Sequence, residues 1–229
     1  MYFAVIGNII SAEKMENKKR YEMQMKTDEI LTKINKMHKS DIAFDFKLTL
    51  GDEFQGLIQN ASAVLEIIDK IKYLANPLEI CFGIGIGPIY SAINKRSGNR
   101  PDGPAFWNAG FAIQQIKKNK SYNRPTILFE IEDNDRNKNQ WLEVVNESLA
   151  LCDFIENGWT EKQKRIVLES IYRYGYDTKV PQKELAELFE ISIPAMNVHM
   201  KRSAYYNYFN LRKTIGTALY KEWGEIIID

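Results

Sequence analysis

Residues 78–89 read LEICFGIGIGPI, a stretch in which apolar side chains alternate with glycines. In a β-strand, successive side chains point to opposite faces, so the even-numbered residues from Ile80 to Ile86 share one face. Gly83, Gly85 and Gly87 share the other face. Because glycine weakens the interior of a strand, three glycines on one face indicate that something approaches the backbone closely. A packed helix and a ligand would both explain this, and we favour the helix.

The chain on both sides of this strand alternates between strand-like and helix-like patterns, separated by turn residues. The predicted elements are a strand Tyr2–Ile6, a helix within Glu13–Lys39, a strand Phe44–Leu50, a strand Phe54–Ile58, a helix after the N-cap Asn60, the glycine-rich strand, a helix Ala105–Lys118 and a strand Thr126–Ile131. The first six follow the ferredoxin-like order, an antiparallel sheet with helices on one face. The fold class is therefore predicted as α+β.

Strict alternation marks the second predicted strand. Phe44, Phe46, Leu48 and Leu50 are separated by polar residues and are expected to share its buried face. The following Gly51-Asp52-Glu53 is a turn signal, so this strand and the next are predicted to form a hairpin.

Composition changes after the last predicted strand, where residues 132–140 are polar. We therefore divide the chain into a sheet domain (1–133), a linker with a connecting helix (134–157) and a helical domain (158–229). Leu142, Val145, Leu149 and Cys152 suit one face of the connecting helix, and a dimer seam is a second interpretation of the same spacing.

The helical domain has the pattern of a helix-turn-helix unit. The predicted helices span 161–174, 182–189, 193 to about 205 and 211 to about 225, with Glu190-Ile191-Ser192 as the tight turn. In such a unit the second helix lies in the DNA major groove. DNA is therefore the expected partner through residues 182–205, and a homodimer reading two half-sites is expected.

Several residues are candidates for contacting DNA. Ser192 would cap the recognition helix beside a phosphate, and Asn197 would lie on its exposed face. From Ile191 to Lys221 the chain has basic residues and no acid, which supplies local phosphate attraction. The basic residues are Lys201, Arg202, Arg212, Lys213 and Lys221. The alternative is an ordinary helical domain with a solvated face.

Composition excludes several classes of protein. The 229 residues carry a net charge of +1 and are 45% hydrophobic, which excludes wholesale disorder and a chain that coats nucleic acid by net charge alone. No apolar run approaches the ~20 residues of a membrane span. Two cysteines and two histidines are too few for a disulfide framework or a histidine-rich metal site. A cytoplasmic protein without membrane partners is expected.

Five segments together resemble the SatD family, bacterial proteins associated with acid tolerance. They are MYFAVIGNII at the start, TLGDEFQGL, FGIGIGPI, DGPAFWNAGFAI, and WTEKQ followed by the helix-turn-helix pattern. At one remove, the first domain is similar to class III nucleotidyl cyclases and GGDEF diguanylate cyclases. Those enzymes place one metal-binding acid at the end of the first strand and another in the hairpin.

The resemblance puts Asn8 and Asp52 at these two positions, with Glu53 next to the second and Asn108 at a cyclase asparagine. It implies nucleotide binding with Mg²⁺ or Mn²⁺, and Asp52 as a metal ligand. Asn8 is neutral, however, and Gly110 and Phe111 stand where a cyclase cation is expected. We therefore expect a DNA-binding regulator whose cyclase-like sensor domain is not catalytic. A nucleotide- and metal-dependent enzyme and a scaffold that does not bind DNA are the alternatives.

Two further clusters are given structural roles. Lys117, Lys118, Lys120 and Arg124 surround a helix end, where cations complement the helix dipole. Tyr205, Tyr206, Tyr208 and Phe209 are interpreted as interdomain core rather than as a platform for stacking bases.

Overall fold

A computed structural model describes residues 1–10, 15–49, 51–93, 101–119, 124–132 and 136–224. The strands are β1 (Tyr2–Ile9), β2 (Ile42–Leu48), β3 (Glu53–Ile58), β4 (Ile80–Gly87) and β5 (Ile127–Ile131). The helices are α1 (Asn17–Met37), α2 (Val64–Ala75), α3 (Pro104–Lys118), α4 (Arg136–Asn157), α5 (Glu161–Tyr174), α6 (Gln182–Leu188), α7 (Ile193–Arg202) and α8 (Tyr205–Trp223), and a 3₁₀ helix spans Ala61–Ala63. None of the described helices combines the length and apolar character that a membrane-spanning segment needs. The predicted positions Leu50, Lys120, 134–135 and 225–229 lie outside the described residues.

One mixed sheet organises the molecule, in the strand order β2-β3-β1-β4-β5. The first four strands in this order pair antiparallel, and β5 pairs parallel with β4. Apolar residues of α1 and α2 share a core with one face of the sheet, and α3 covers the other face. The chain is thus an α+β protein whose sheet is enclosed between helices.

The glycine face of β4 lies against α3, which confirms the packed-helix interpretation. A Cβ added to Gly85 would stand 1.9 Å from the Ala105 carbonyl oxygen and 2.2 Å from the Ala109 nitrogen. A Cβ added to Gly83 would stand 2.5 Å from the Ile113 nitrogen. The helix backbone therefore occupies the space that side chains would fill, and the glycines are required for this close approach.

The predicted alternation of β2 is wrong in one respect. Phe44 packs in the core beneath α3, whereas Phe46 packs in the core on the opposite side of the sheet. The pairing of β2 with β3 shifts register on both sides of Phe44. A shift of this kind inserts a residue into one strand, so the side chains that follow it point to the opposite face of the sheet. Phe44 and Phe46 therefore pack in different cores although they belong to one alternating pattern.

An asparagine side chain engages the outer edge of the sheet on each side. Asn35 of α1 donates from Nδ2 to the Phe46 carbonyl at 2.9 Å and accepts from the Phe46 N–H at 2.8 Å. Asn146 of α4 makes the same two bonds with Phe129 of β5, both at 2.9 Å. Each amide thus satisfies both backbone groups of one residue in an edge strand.

The C-terminal helices share a core with the sheet layer rather than standing apart from it. The face of α4 that contains Leu142, Val145, Leu149 and Cys152 is buried within this chain. The interpretation of that face as a dimer seam is therefore wrong. At Gly216 of α8 an added Cβ would lie 2.9 Å from the Ser62 carbonyl oxygen, so α8 sits directly on the 3₁₀ helix.

Buried charges also join these layers. Arg212 of α8 is completely buried and contacts Asp69 of α2 at 3.3 Å and Glu156 of α4 at 3.2 Å. The Glu156 carboxylate also contacts Lys72 Nζ at 2.6 Å and accepts from the Tyr208 hydroxyl at 2.6 Å. Burial by itself would raise the pKa of Glu156, but the Lys72 and Arg212 charges outweigh it and lower the pKa to about 2. Glu156 is therefore held as a carboxylate.

Asp69 behaves differently, although it faces the same arginine. It is fully buried and accepts a hydrogen bond from the Tyr176 hydroxyl at 2.7 Å. Burial raises the pKa of Asp69, and the attraction of Arg212 only partly opposes this effect. Ionisation of Asp69 is therefore less favourable in the folded protein than in the unfolded chain, whereas ionisation of Glu156 is more favourable.

Candidate functional site

Two residues singled out in the sequence, Asn8 and Asp52, meet at one end of the sheet. β1 and β3 are paired, with Asn8 opposite Glu53, which brings the start of the hairpin strand beside the end of β1. Asn8 Nδ2 donates to Asp52 Oδ2 at 3.1 Å, and the Ile9 N–H donates to the Asp52 carbonyl at 2.9 Å. Because a carboxylate accepts but cannot donate, the amide must present its N–H to Asp52.

Two cationic side chains, Lys117 and Arg124, lie near Asn8 and Asp52, where they contact the neighbouring residues Glu53 and Cys81. Lys117, in the last turn of α3, lies 3.6 Å from the Glu53 carboxylate. The Cys81 thiol donates to the Asn8 carbonyl at 3.7 Å and accepts from Arg124 Nη2 at 3.4 Å. Burial raises the pKa of the Cys81 thiol, and Arg124 opposes this shift only in part. The thiol is thus protonated at neutral pH and is not a nucleophile.

The donor set does not fit a two-metal site. Such a site needs carboxylates on both sides of hard cations, and here one of the two positions is the neutral Asn8. The amide N–H of Asn8 already uses an oxygen of Asp52, and the Lys117 ammonium stands beside Glu53. Among the described residues, no group of three or more His, Cys, Asp and Glu side chains could hold a metal ion. The local charges of Asp52, Glu53, Lys117 and Arg124 cancel, so the cluster attracts a divalent cation only weakly.

Asn108, the further candidate for binding a nucleotide, does not join this cluster. It is buried and donates from Nδ2 to the Ile86 carbonyl at 2.9 Å. Asn8 of β1 pairs with Cys81 of β4, which lies five residues before Ile86. At ~3.3 Å per residue, the two points of β4 that the asparagines contact are roughly 16 Å apart. Asn108 instead fixes α3 to the sheet.

The helix-turn-helix candidates occupy a second surface, formed by α6 and α7. The turn contains Glu190 at a φ of 51°, so this residue adopts the left-handed conformation without being glycine. Ser192 caps α7, and its Oγ accepts from the Ala195 N–H at 3.3 Å. Met196 and Met200 are buried, which leaves the opposite face of α7 to solvent.

Ser192 and four further residues among the predicted DNA contacts are exposed to solvent. Asn197, Lys201 and Arg202 are exposed on α7, and Lys213 is exposed on α8. The helix ends at Arg202 rather than near Tyr205, because Ala204 takes a left-handed conformation with a φ of 52° and α8 begins immediately after it. The exposed basic residues are therefore at the end of a helix of 10 residues.

Arg212 is the exception, and its prediction as a DNA contact is wrong. Its side chain is completely buried, and Asp69 and Glu156 neutralise it. The spacing of basic residues could not reveal this, because both acids come from distant segments of the chain. A signal was present in the periodicity, since Arg212 lies three residues before Ile215 and seven before Leu219 on the buried face of α8.

The aromatic cluster is largely core, as the sequence indicated. Tyr205, Tyr208 and Phe209 are fully buried, and Tyr205 stacks on Phe209 with ring centroids 4.0 Å apart. Tyr206 is 39% exposed.

The sequence did not reveal that Lys117 and Arg124 lie near Asn8, Asp52 and Glu53. Both cations were predicted only to complement the dipole at a helix end.

Comparison with known proteins gives one match. The model of the SatD family matches residues 2–219, which is nearly the whole chain. No curated protein and no solved structure matches the sequence.

Proposed function

The chain belongs to the SatD family, and we propose that it is a cytoplasmic DNA-binding transcriptional regulator. In this proposal α6 and α7 form a helix-turn-helix unit and α7 enters the major groove. The single observation that carries the proposal is the solvent face of α7. It presents Asn197, Lys201 and Arg202 together on a short helix whose opposite face is anchored by two buried methionines.

Electrostatics support the same surface. Between Ile191 and Lys221 the sequence contains no acidic residue, and only Arg212 of its five Lys and Arg residues is neutralised in the core. The remaining cations supply attraction to phosphates that a net charge of +1 does not. Asn197 has the side chain suited to bidentate recognition of adenine.

We further propose that residues 1–133 form a ferredoxin-like, cyclase-like unit with a sensing role and without catalysis. The order β2-β3-β1-β4 with antiparallel neighbours supports this topology. The site that would be catalytic has Asn8 in place of an acid, and its charges are internally balanced. A nucleotide bound there would be held by Lys117 and Arg124 rather than through a metal ion.

A DNA-binding assay over a salt series tests the proposal. The Lys201→Ala/Arg202→Ala variant should weaken binding and flatten the slope of log affinity against log salt by about 2, because two fewer phosphate charges are neutralised. The Lys18→Ala/Lys19→Ala variant is the matched control. It removes the same charge from exposed residues of α1 and should leave the slope almost unchanged.

Circular dichroism should show that both variants stay folded, since all four side chains are exposed. Equal effects of the two variants would mean that charge alone attracts DNA and that α7 does not enter the groove. If the wild-type chain binds no DNA even at low salt, the scaffold interpretation replaces this one.

A further inference from the structure

Helix α3 has two contrasting faces. Its inner face contains Ala105 and Ala109, which press against the glycines of β4. Its outer face carries Trp107 and Phe111, which are 52% and 56% exposed, beside Tyr90, which is 72% exposed. Large aromatic side chains that lie together in solvent mark an interaction surface more often than isolated ones do.

Two of these residues, Trp107 and Tyr90, are held in place by contacts within the chain. The Trp107 indole Nε1–H donates to Asp102 Oδ1 at 2.9 Å. Tyr90 packs edge-on against Trp107 with ring centroids 6.1 Å apart. A side chain that is already ordered loses little entropy when it is covered, which is a property of residues that dominate binding energies.

Gly110 is the second, independent observation. It lies within α3, where glycine costs about 1 kcal/mol relative to alanine. The glycines of β4 are explained by the helix above them, but a Cβ at Gly110 would meet no described atom within 4 Å other than those of its chain neighbours and of its own helix backbone. Gly110 therefore leaves a notch on the surface of α3, beside Phe111 in the sequence, that no described residue from another element fills.

We propose that the outer face of α3 is a self-association surface, on which a second copy of this chain docks with the two α3 helices antiparallel. With the two-fold axis between Gly110 and Phe111, each Phe111 ring enters the notch over Gly110 of the other copy. Trp107 then faces Gln114 of the other copy, because helix residues three and four apart share a face. One contact surface is thus complementary to itself, as a two-fold dimer requires.

Charge complementarity selects this occupant and this direction. Asp102 lies just before α3, and Lys118 is the last residue of α3; both are exposed. The antiparallel register that pairs Gly110 with Phe111 places Lys118 opposite position 103, adjacent to Asp102. Each end of the helix pair therefore brings opposite charges together, whereas a parallel pair would place Lys118 against Lys118.

The area predicts a weak dimer. At about 200 Å² per aromatic side chain, Tyr90, Trp107 and Phe111 expose about 350 Å² in each copy. Two copies bury about 700 Å² of aromatic surface, below the roughly 1,200 Å² of a stable standard interface. We therefore expect weak association, with a dissociation constant in the micromolar range or above.

Sedimentation velocity of the full-length chain over a concentration series tests the proposal. Phe111→Ser should raise the dimer dissociation constant about tenfold or more, because it removes the side chain that fills the notch. Gly110→Gln should raise it similarly while raising the melting temperature, since glutamine is a better helix former and the space is open. A variant that is more stable and less associated cannot be explained by misfolding.

Phe154→Ser is the matched control, because Phe154 is a 71% exposed aromatic residue of α4, away from α3. It should leave the dissociation constant within about twofold of the wild-type value. The proposal is overturned if the wild-type chain stays monomeric at the highest soluble concentration, or if Phe111→Ser and Gly110→Gln do not weaken the dimer. Loss of the dimer in Phe154→Ser alone would assign self-association to α4. Because α3 is separate from α7 and the assay contains no DNA, its outcome does not depend on whether the chain binds DNA.

Discussion

Glu156→Gln should destabilise the protein strongly although it changes the side chain little in size. The carboxylate receives Lys72 at 2.6 Å on one oxygen, and Tyr208 at 2.6 Å with Arg212 at 3.2 Å on the other. Glutamine can accept from Tyr208 and Arg212, but its NH₂ group would then face the Lys72 ammonium, donor against donor. The variant thus leaves a buried cation with poor compensation.

The magnitude follows from the pKa of Glu156, which falls from an ordinary 4.5 to about 2. At about 1.4 kcal/mol per pH unit, ionised Glu156 contributes about 3 kcal/mol to stability at neutral pH. Because the folded pKa is lowered, this contribution is present above about pH 4.5 and is lost as the pH falls towards 2. The loss in free energy of unfolding caused by Glu156→Gln should become smaller as the pH falls through the same range.

Asp69→Asn is the matched control, since it removes the second carboxylate that faces Arg212. Asn can still accept from the Tyr176 hydroxyl, and although its NH₂ group then faces Arg212, that cation keeps the Glu156 carboxylate as a partner. We expect a smaller loss than in Glu156→Gln, because Lys72 and Arg212 both keep the Glu156 carboxylate. Urea unfolding followed by tryptophan fluorescence measures both free energies of unfolding. Equal losses in the two variants, or a loss below about 1 kcal/mol in Glu156→Gln, would refute this account of the cluster.

Three more outcomes are expected. Gly85→Ala should cost about 3 kcal/mol or more, or prevent folding, because its Cβ would stand 1.9 Å from the Ala105 carbonyl; thermal unfolding measures this. The wild-type chain should show no metal-dependent turnover of ATP or GTP. In Asn8→Asp a second carboxylate lies beside Asp52, so Mn²⁺ should raise the melting temperature of this variant. Turnover in the wild type that is lost in Asp52→Ala would contradict this. Asn197→Ala should change the preference among DNA sequences more than the salt slope, which selection from a randomised pool would reveal.

The order of elements was predictable because it depends on local periodicity. The glycine face of β4 required a close neighbour, and α3 supplies it. The helix predicted from residue 161 begins there, where Thr160 forms a capping box with Gln163 at the start of α5. Such signals are contained within a few residues and need no knowledge of the distant chain.

The parts that could not be predicted depend on distant partners or unusual backbone. The end of α7 is set by Ala204 in a left-handed conformation, a residue that gives no turn signal. The burial of Arg212 depends on Asp69 and Glu156, which precede it by 143 and 56 residues. At the candidate site the sequence brought Asn8 and Asp52 together correctly, but it could not show that Lys117 would balance Glu53.

The asparagines that bind the backbone of Phe46 and Phe129 limit how another polypeptide can pair with the edges of the sheet. Many proteins recruit an extended peptide, or extend into fibrils, by adding a strand to an open sheet edge. Here Asn35 and Asn146 already occupy the backbone groups that an incoming strand would need at a point within each outer strand. Growth of the sheet beyond five strands is thereby opposed on both sides. An added strand would have to displace one of these asparagines, whereas binding through exposed side chains on helices carries no such requirement.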